Sequence, residues 1–536
     1  MTDSPAPLLA AEYGSFPHII AHWAATQPAA PALADDAGTL SWGELGDRVE
    51  RIAARLQADG LERGQSVAIL GTSSVAYALV FLAAVRAGGV AAPLTTSASP
   101  AQLAGMAADS GARHLFIDRA KLTELGDDFM PDMTHIVLDE ELDAWMAPVG
   151  TVAAPYDPAP TDPFNIIYSS GTTGTPKGIV HSHLMRWRQF ATTAAALAAS
   201  GGPVRALAST PLYSNTTMLA FLSPLLAGGF VRIMGKFDAA RWLAHAERDR
   251  TTLTMLVPVQ YQRLLGSDAL DATDLSAMRL KYCTSAPFSA ALKGEVLRRM
   301  PGGLVEAYSM TEGGVVCTLA AHEFPDKLHT VGRPAPGSYL KVLDDEDREV
   351  PPGTAGHLVG RSGTMMSGYK NQPDKTREGY WTDPATGEIW QRMGDIGRVD
   401  EDGFVELVGR AKDMIISGGF NIYPADLEAE LEKEPQVAEA AVIGVESEQW
   451  GETPVGFVVL ADPAADVEAV RGAVNARLGK TQRLSALHAI EAMPRSHIGK
   501  LLKTELRALI VGVQDKGPAT GDRGGERSPA AGLTVM

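Results

Sequence analysis

Short apolar runs alternate with stretches of helical periodicity over most of the first 310 residues, and this alternation narrows the fold more than any other feature. Residues 65–71, 90–94, 114–117, 164–168, 204–209, 230–234, 252–257, 280–284 and 304–309 read as strands. Helical patterns lie among them: an amphipathic one at 42–56, an apolar one after residue 71, one starting near Pro100, and others at 239–248 and 290–299. Strands that alternate with helices predict parallel sheet, because a parallel neighbour needs a long crossover. At 536 residues the chain exceeds one ordinary core, so two or more domains are expected, one of them large.

The texture changes near Val331. From there to Leu407 short runs are separated by turn pairs such as Pro352-Gly353, Asp383-Pro384 and Asp402-Gly403, which predicts a small β-barrel or sheet. The run Asp344-Asp345-Glu346-Asp347 reads as a solvated turn. Beyond Arg410 the alternation resumes on a smaller scale, with helices at 423–432, 467–478 and 501–511 and strands at 437–445 and 453–460. That is room for one α+β domain. Residues 139–161 read as a Pro- and Ala-rich crossover, and 512–536 as a disordered tail.

A formal charge of −17 argues against nonspecific nucleic-acid binding and against a polybasic membrane surface. Any anionic substrate must then be met by local lysines and arginines. Cys283 and Cys317 have neither metal spacing nor a disulfide framework, which fits a reducing, cytoplasmic location. The N-terminus lacks the basic region of a secretion signal, and the apolar windows at 75–85 and 218–231 read as core elements, not membrane spans.

The strand-like run Phe164-Asn165-Ile166-Ile167-Tyr168 leads into Ser169-Ser170-Gly171-Thr172-Thr173-Gly174-Thr175-Pro176-Lys177-Gly178. Those ten residues carry five hydroxyls, three glycines and one lysine. Glycine lets backbone approach a bulky anion, hydroxyls and N–H groups meet its oxygens, and the lysine adds a mobile charge. The stretch therefore reads as a phosphate-gripping loop, although G-x-x-x-x-G-K-[ST] is not satisfied. At Tyr308-Ser309-Met310-Thr311-Glu312 a strand ends, followed by Gly313-Gly314; there an aromatic can stack on a base, a threonine can bond phosphate and a glutamate can hold Mg2+. Asp395, with Arg410 in Gly409-Arg410-Ala411-Lys412-Asp413, suits a ribose diol, one group accepting and the other donating. Lys500, after Gly499 at a turn, can swing towards a site; by itself it reads as an ordinary surface lysine.

Taken in order, the loop at 168–178, the 308–312 run, Gly394-Asp395, the stretch from Gly409 to Pro424, and Gly499-Lys500 resemble the adenylate-forming, acyl-activating enzymes. These include acyl-CoA synthetases, luciferases and nonribosomal adenylation domains. The resemblance spans about residues 15–510 and extends to the runs at 40–45 and 331–334. It implies an α/β fold with a large N-terminal domain (15–409) of two αβα-type subdomains plus a small β-barrel. A hinge at 410–412 would join this to a small mobile α+β lid (413–511). It implies two steps: a carboxylate attacks the α-phosphate of ATP and releases pyrophosphate, then a thiol, commonly of coenzyme A, displaces AMP. By resemblance, Ser169, Ser170, Gly171, Thr172, Thr173, Gly174 and Lys177 would hold the pyrophosphate half of ATP, and Tyr308 would stack on adenine. Thr311 would touch the α-phosphate, Glu312 would bind Mg2+, and Asp395 and Arg410 would hold the ribose. Lys500 would bridge carboxylate and α-phosphate. Lys412 takes the hinge place, and Gly418 and Gly419 would line the thiol's path once Lys500 has withdrawn.

Tyr213, Ser285, Ala286 and Met310 are the pocket candidates. Ser214 stands where many relatives carry histidine or phenylalanine, and Glu306-Ala307 departs from the commoner Gln/Asn-Gly. No carboxylate near residues 213–215 is placed to meet an amine, which disfavours an amino acid. The expectation is a ligase joining a small or medium carboxylic acid to coenzyme A, with a lean to ring acids. Alternatives are an acyl-AMP ligase loading a carrier protein and a catalytically inactive nucleotide-binding homologue. Intact Lys177, Glu312, Asp395, Arg410 and Lys500 argue against the inactive form. A luciferase is disfavoured by a chain that ends without a peroxisomal tail. A homo-oligomer stays open.

Overall fold

The computed structural model describes residues 6–169, 177–417, 420–447, 450–479, 482–496 and 499–514. Contacts divide the chain into two compact units, one of residues 1–340 and 359–393, the other of 341–358 and 394–536. The division falls ahead of the expected hinge at 410–412, which lies inside the second unit.

Two large sheets carry most of the first unit, and Tyr380–Thr382 belongs to a further five-stranded sheet with Gly356–Ser362 and Ile389–Val399. The seven-stranded sheet is built on Ser66–Leu70, flanked by Val90–Pro93 and His114–Ile117 in parallel, with Thr134–Val137 beyond. Every residue of Ser66–Leu70 is buried, as expected of a strand covered on both faces. Its side chains serve two cores by turns: Val67 and Ile69 join one apolar cluster, Ala68 and Leu70 another. The larger cluster also takes Ala206, Val231, Ile233 and Met255 from the second sheet; within it Val75–Arg86 packs on strands of the first sheet, Trp42–Ala58 on strands of the second, and the two helices on each other. Trp42–Ala58 starts with a reciprocal cap, Ser41 to the Glu44 N–H and Glu44 to the Ser41 N–H.

The nine-stranded sheet holds Phe230–Ile233, Arg205–Ala208, Leu253–Leu256, Leu280–Cys283 and Gly303–Met310 as consecutive parallel neighbours. Their carboxyl ends deliver three segments to one edge: residues 209–217, 284–286 and 311–312. The expected strands pair in parallel as expected, but each sheet also takes up antiparallel members. Lys177–Ser182 runs antiparallel to Pro163–Ser169, and Gly313–Ala320 antiparallel to Gly303–Met310. The reason is connection length, since short loops join only antiparallel strands. In Pro163–Ser169 two residues step against one of the partner between Pro163 and Asn165, a bulge. Phe164 consequently serves the larger cluster, while Ile166 and Tyr168 serve the other.

In the second unit, Val437–Ser447 and Gly451–Leu460 form a long antiparallel pair, with Ala486–Ala489 added in parallel and Ile415–Ser417 on the same sheet. Helices Pro424–Leu431 and Val467–Arg477 cover one face through Val442 and Val458, and Lys503–Gln514 contributes Leu506 to the other. That last helix runs three residues past its expected end, so 512–514 are helical and not tail. Among the described residues no helix is long and apolar enough to cross a membrane.

Candidate active site

Lys177 is the first residue of Lys177–Ser182 and pairs in register with Ser169. Residues 170–176, which include Ser170, Gly171, Thr172, Thr173 and Gly174, lie outside the described residues, as do Gly418 and Gly419. Gly178 sits where a Cβ would come within 3.0 Å of Ile166 and Tyr168, so the strand after the loop can lie close against the one before it.

The Lys177 ammonium lies 5.0 Å from the centre of the Tyr369 ring. The Tyr369 hydroxyl donates to Glu312 Oε1 at 2.9 Å. One tyrosine therefore ties the loop lysine to the glutamate expected to hold metal. Burial, then the Glu312 charge, pushes the Tyr369 phenol up, so it stays a donor at neutral pH. No motif in the sequence singles out Tyr369. Its place comes from Gly368–Tyr369 pairing with Lys177–Ser182 across nearly two hundred residues of chain, which no local pattern announces.

Thr311 and Glu312 form the turn between Gly303–Met310 and Gly313–Ala320. The turn is held from two sides: the Met366 N–H donates to the Glu312 carbonyl at 2.8 Å, and His181 Nε2 donates to the Thr311 carbonyl at 2.8 Å. Gly313 has φ +92°, and a Cβ there would collide with the Thr364 carbonyl. Tyr308 and Met310 are half-buried at this edge. Beside them Thr284 Oγ1 donates to the Ala307 carbonyl at 2.6 Å. Ser285 holds φ +80°, a left-handed conformation that costs about 1–3 kcal/mol in a residue with a Cβ. Its hydroxyl is bonded to that of Thr216. The pocket candidates Ser285, Ala286 and Met310 thus lie on segments at the edge that also carries Tyr213.

Glu306 does not stay available for a ligand. It is buried against Lys293, with 2.5 Å between Nζ and Oε2, and burial pushes its carboxyl up to about 7 despite that partner.

In the second unit Asp395 and Arg410 are register partners, with Arg410 Nε 3.2 Å from Asp395 Oδ1. Lys500 lies in a tight turn, its N–H donating to Ser496 Oγ at 3.1 Å and its carbonyl accepting from the Ser496 N–H at 2.8 Å. Gly499, at φ +76°, supplies the left-handed position beside it. Although Lys500 keeps contact with solvent, partial desolvation, then Arg410 and Lys412, push its ammonium down, opposed by Asp413 and Asp395. Loss of solvent also pushes down the Lys412 ammonium. The structure therefore gathers Lys500, Lys412, Arg410 and Asp395 in one neighbourhood.

Residues 20–370 match the AMP-binding enzyme family, and residues 426–500 match the AMP-binding enzyme C-terminal domain. The chain is a member of the AMP-binding enzyme family. Similar proteins of this family include a feruloyl-CoA synthase of Amycolatopsis, 33% identical over 90% of this chain and 96% of its own. An indoleacetate–CoA ligase of Aromatoleum aromaticum is 31% identical over 91% of this chain and 96% of its own. A fatty acid–[acyl-carrier-protein] ligase of Streptomyces coeruleorubidus is 32% identical over 90% and 93%. Among solved structures, ATP-bound MatB from Rhodopseudomonas palustris superposes with TM-score 0.81 at 28% identity, covering 93% of this chain and 99% of that one. As an AMP-binding enzyme the chain has the expected α/β architecture of a large N-terminal and a smaller C-terminal domain.

Proposed function

We propose that this AMP-binding enzyme is an AMP-forming acid:CoA ligase. The observation that carries the reading is the meeting of Lys177 and Glu312 on Tyr369, at the edge where the parallel strands also deliver residues 209–217 and 284–286. A cation, a carboxylate and a glycine-rich connection suit a magnesium triphosphate. Among the described residues no group of three or more His, Cys, Asp or Glu could hold a metal by itself. Mg2+ would therefore rest on Glu312 and on phosphate oxygens, its usual mode, and would neutralise charge on the leaving pyrophosphate.

In the first step a carboxylate oxygen attacks the α-phosphorus and pyrophosphate leaves. Lys177 with Ser169, Ser170, Thr172 and Thr173 would grip the pyrophosphate half, Thr311 and Lys500 the α-phosphate, Tyr308 the adenine, and Asp395 and Arg410 the ribose. Preplaced cations matter most here, because negative charge shifts onto phosphoryl oxygens. In the second step a thiol sulfur attacks the acyl carbon and AMP leaves with the electron pair. Rotation about 410–412, with Lys412 as the hinge residue, would withdraw Lys500 and bring Gly418 and Gly419 to the thiol's path. The proposed acid is small or medium-sized, ring acids first, with Tyr213, Ser285, Ala286 and Met310 edging its pocket. The feruloyl and indoleacetate ligases among the relatives support that order. Two buried free thiols, Cys283 and Cys317, accord with a cytoplasmic location.

A second reading, transfer to a carrier-protein thiol, is supported by the Streptomyces ligase. The test is pyrophosphate release from ATP with ferulate, indoleacetate, benzoate or octanoate, with coenzyme A, with a phosphopantetheinyl carrier protein, or with neither. Acid-dependent release with an acyl-CoA product supports the first reading, and acyl-carrier product alone the second. No release with any acid removes both.

A further inference from the structure

The helix His183–Ala199 follows directly on Lys177–Ser182, and Arg186 lies in its first turn, fully buried. Its setting is unusual for a guanidinium. Among the described residues no carboxylate pairs with it. Its acceptors are all uncharged: Asn165 Oδ1 at 2.8 Å from Nε, Gln189 Oε1 and Asn215 Oδ1 each at 2.7 Å from Nη1, and His181 Nδ1 at 2.9 Å from Nη2. The Phe190 ring lies 5.7 Å from Cζ. A helix N-terminus already carries partial positive charge, so a cation in the first turn gains nothing from the dipole. Burying a charge without a counter-charge is also costly, and burial accordingly pushes the Arg186 pKa down to about 9.

The geometry shows what the cation is connected to. Asn165 and His181 stand directly opposite each other in the antiparallel pair that flanks the phosphate loop. His181 Nε2 must carry the ring proton, because it meets the Thr311 carbonyl, which only accepts. Nδ1 is then the acceptor for Arg186, and burial with the neighbouring charge holds the imidazole neutral. Asn215 belongs to the half-buried segment that also holds Tyr213, and its neighbour Thr216 is bonded to Ser285. One buried guanidinium thus links the acid-side segment, the loop-flanking hairpin and the 311–312 turn.

We infer that Arg186 is a positioning residue for adenylation: it holds Asn215 and, through His181, the Thr311 carbonyl in mutual register, and it leaves an uncompensated positive charge beside the place where a carboxylate meets a phosphate. The inference rests on the ligase reading above. It accounts for the missing counter-charge, since the anion would be the substrate.

The decisive variant is Asn215→Asp, which gives Arg186 an ion-pair partner without removing it. With the full-length protein and whichever of ferulate, indoleacetate, benzoate and octanoate the wild type adenylates fastest, the variant should melt at or above the wild-type temperature. Its KM for the acid should rise about tenfold or more, its KM for ATP should change less than threefold, and thioester formation from supplied acyl-adenylate should be spared. Arg186→Gln should show the same KM pattern. If it does not fold, Asn215→Ala, which leaves the guanidinium in place, should raise the acid KM in the same direction. A wild-type acid KM in Asn215→Asp, or equal losses in both half-reactions, overturns the inference and leaves the ligase reading standing. A wild type silent with every acid removes the ligase reading, and this inference with it.

Discussion

Tyr369 carries more of the candidate site than any residue singled out from the motifs, because its ring faces Lys177 and its hydroxyl holds Glu312. A hydrogen bond to a charged group contributes about 1.5–3 kcal/mol. Tyr369→Phe keeps the ring and loses the hydroxyl, so acid-dependent pyrophosphate release should fall roughly tenfold to a hundredfold. An unchanged rate would detach that contact from the chemistry. Glu306 offers a second residue-scale expectation. Folded, it keeps its proton up to about pH 7, against an ordinary value of 4.5. Between those limits the folded protein binds the extra proton, so this group's contribution to stability is complete below pH 4.5 and is lost as pH rises through 7. Glu306→Gln has no such slope. Relative to wild type the variant should gain stability from about pH 5 to pH 8, on the order of 2–3 kcal/mol, read from paired urea titrations. A difference that is flat with pH would refute it.

At the scale of elements, the parallel strands and their helices were legible because each carries its own pattern. The expected helices at 239–248 and 290–299 are the observed Ala239–Arg248 and Ala290–Arg299, and the expected strand at 114–117 is His114–Ile117. The antiparallel partners were not legible. Lys177–Ser182 opens inside a run that already had a chemical reading, and Thr311-Glu312 is not a common hairpin pair. Nor were His181, Arg186 and Tyr369, most of whose partners lie on other elements; residues 179–190 hold two histidines and two arginines, and nothing local marks which of them are buried. The 311–312 hairpin turn yields a prediction at its own scale. Gly313 and Gly337 both have left-handed φ, but a Cβ at Gly313 meets the Thr364 backbone while one at Gly337 meets open space. Gly337→Ala should therefore cost about 1 kcal/mol, the backbone term alone, and Gly313→Ala distinctly more, about 2 kcal/mol or above. Thermal melts of the two single variants make the comparison, and equal costs would show that the turn yields easily to the added methyl.

For the whole molecule, a net charge of −17 means that anions are held by particular cations and not by the overall field. Lys177 belongs to one compact unit and Lys500 to the other. If the lid turns between steps, the two lysines should separate kinetically. Lys500→Ala should lower adenylation by on the order of a hundredfold and largely spare thioester formation from supplied acyl-adenylate. Equal losses in both would speak against a rotating lid. The extra residue between Pro163 and Asn165 has a similarly long reach. Because it reverses which way the following side chains point, shortening that strand by one would hand Ile166's place to Ile167 and Tyr168's to Ser169, and turn Asn165 away from Arg186, with the composition almost unaltered. Chain length at this spot should accordingly tolerate less change than the choice of amino acid, and a single-codon deletion there should do more harm than most substitutions along the same strand.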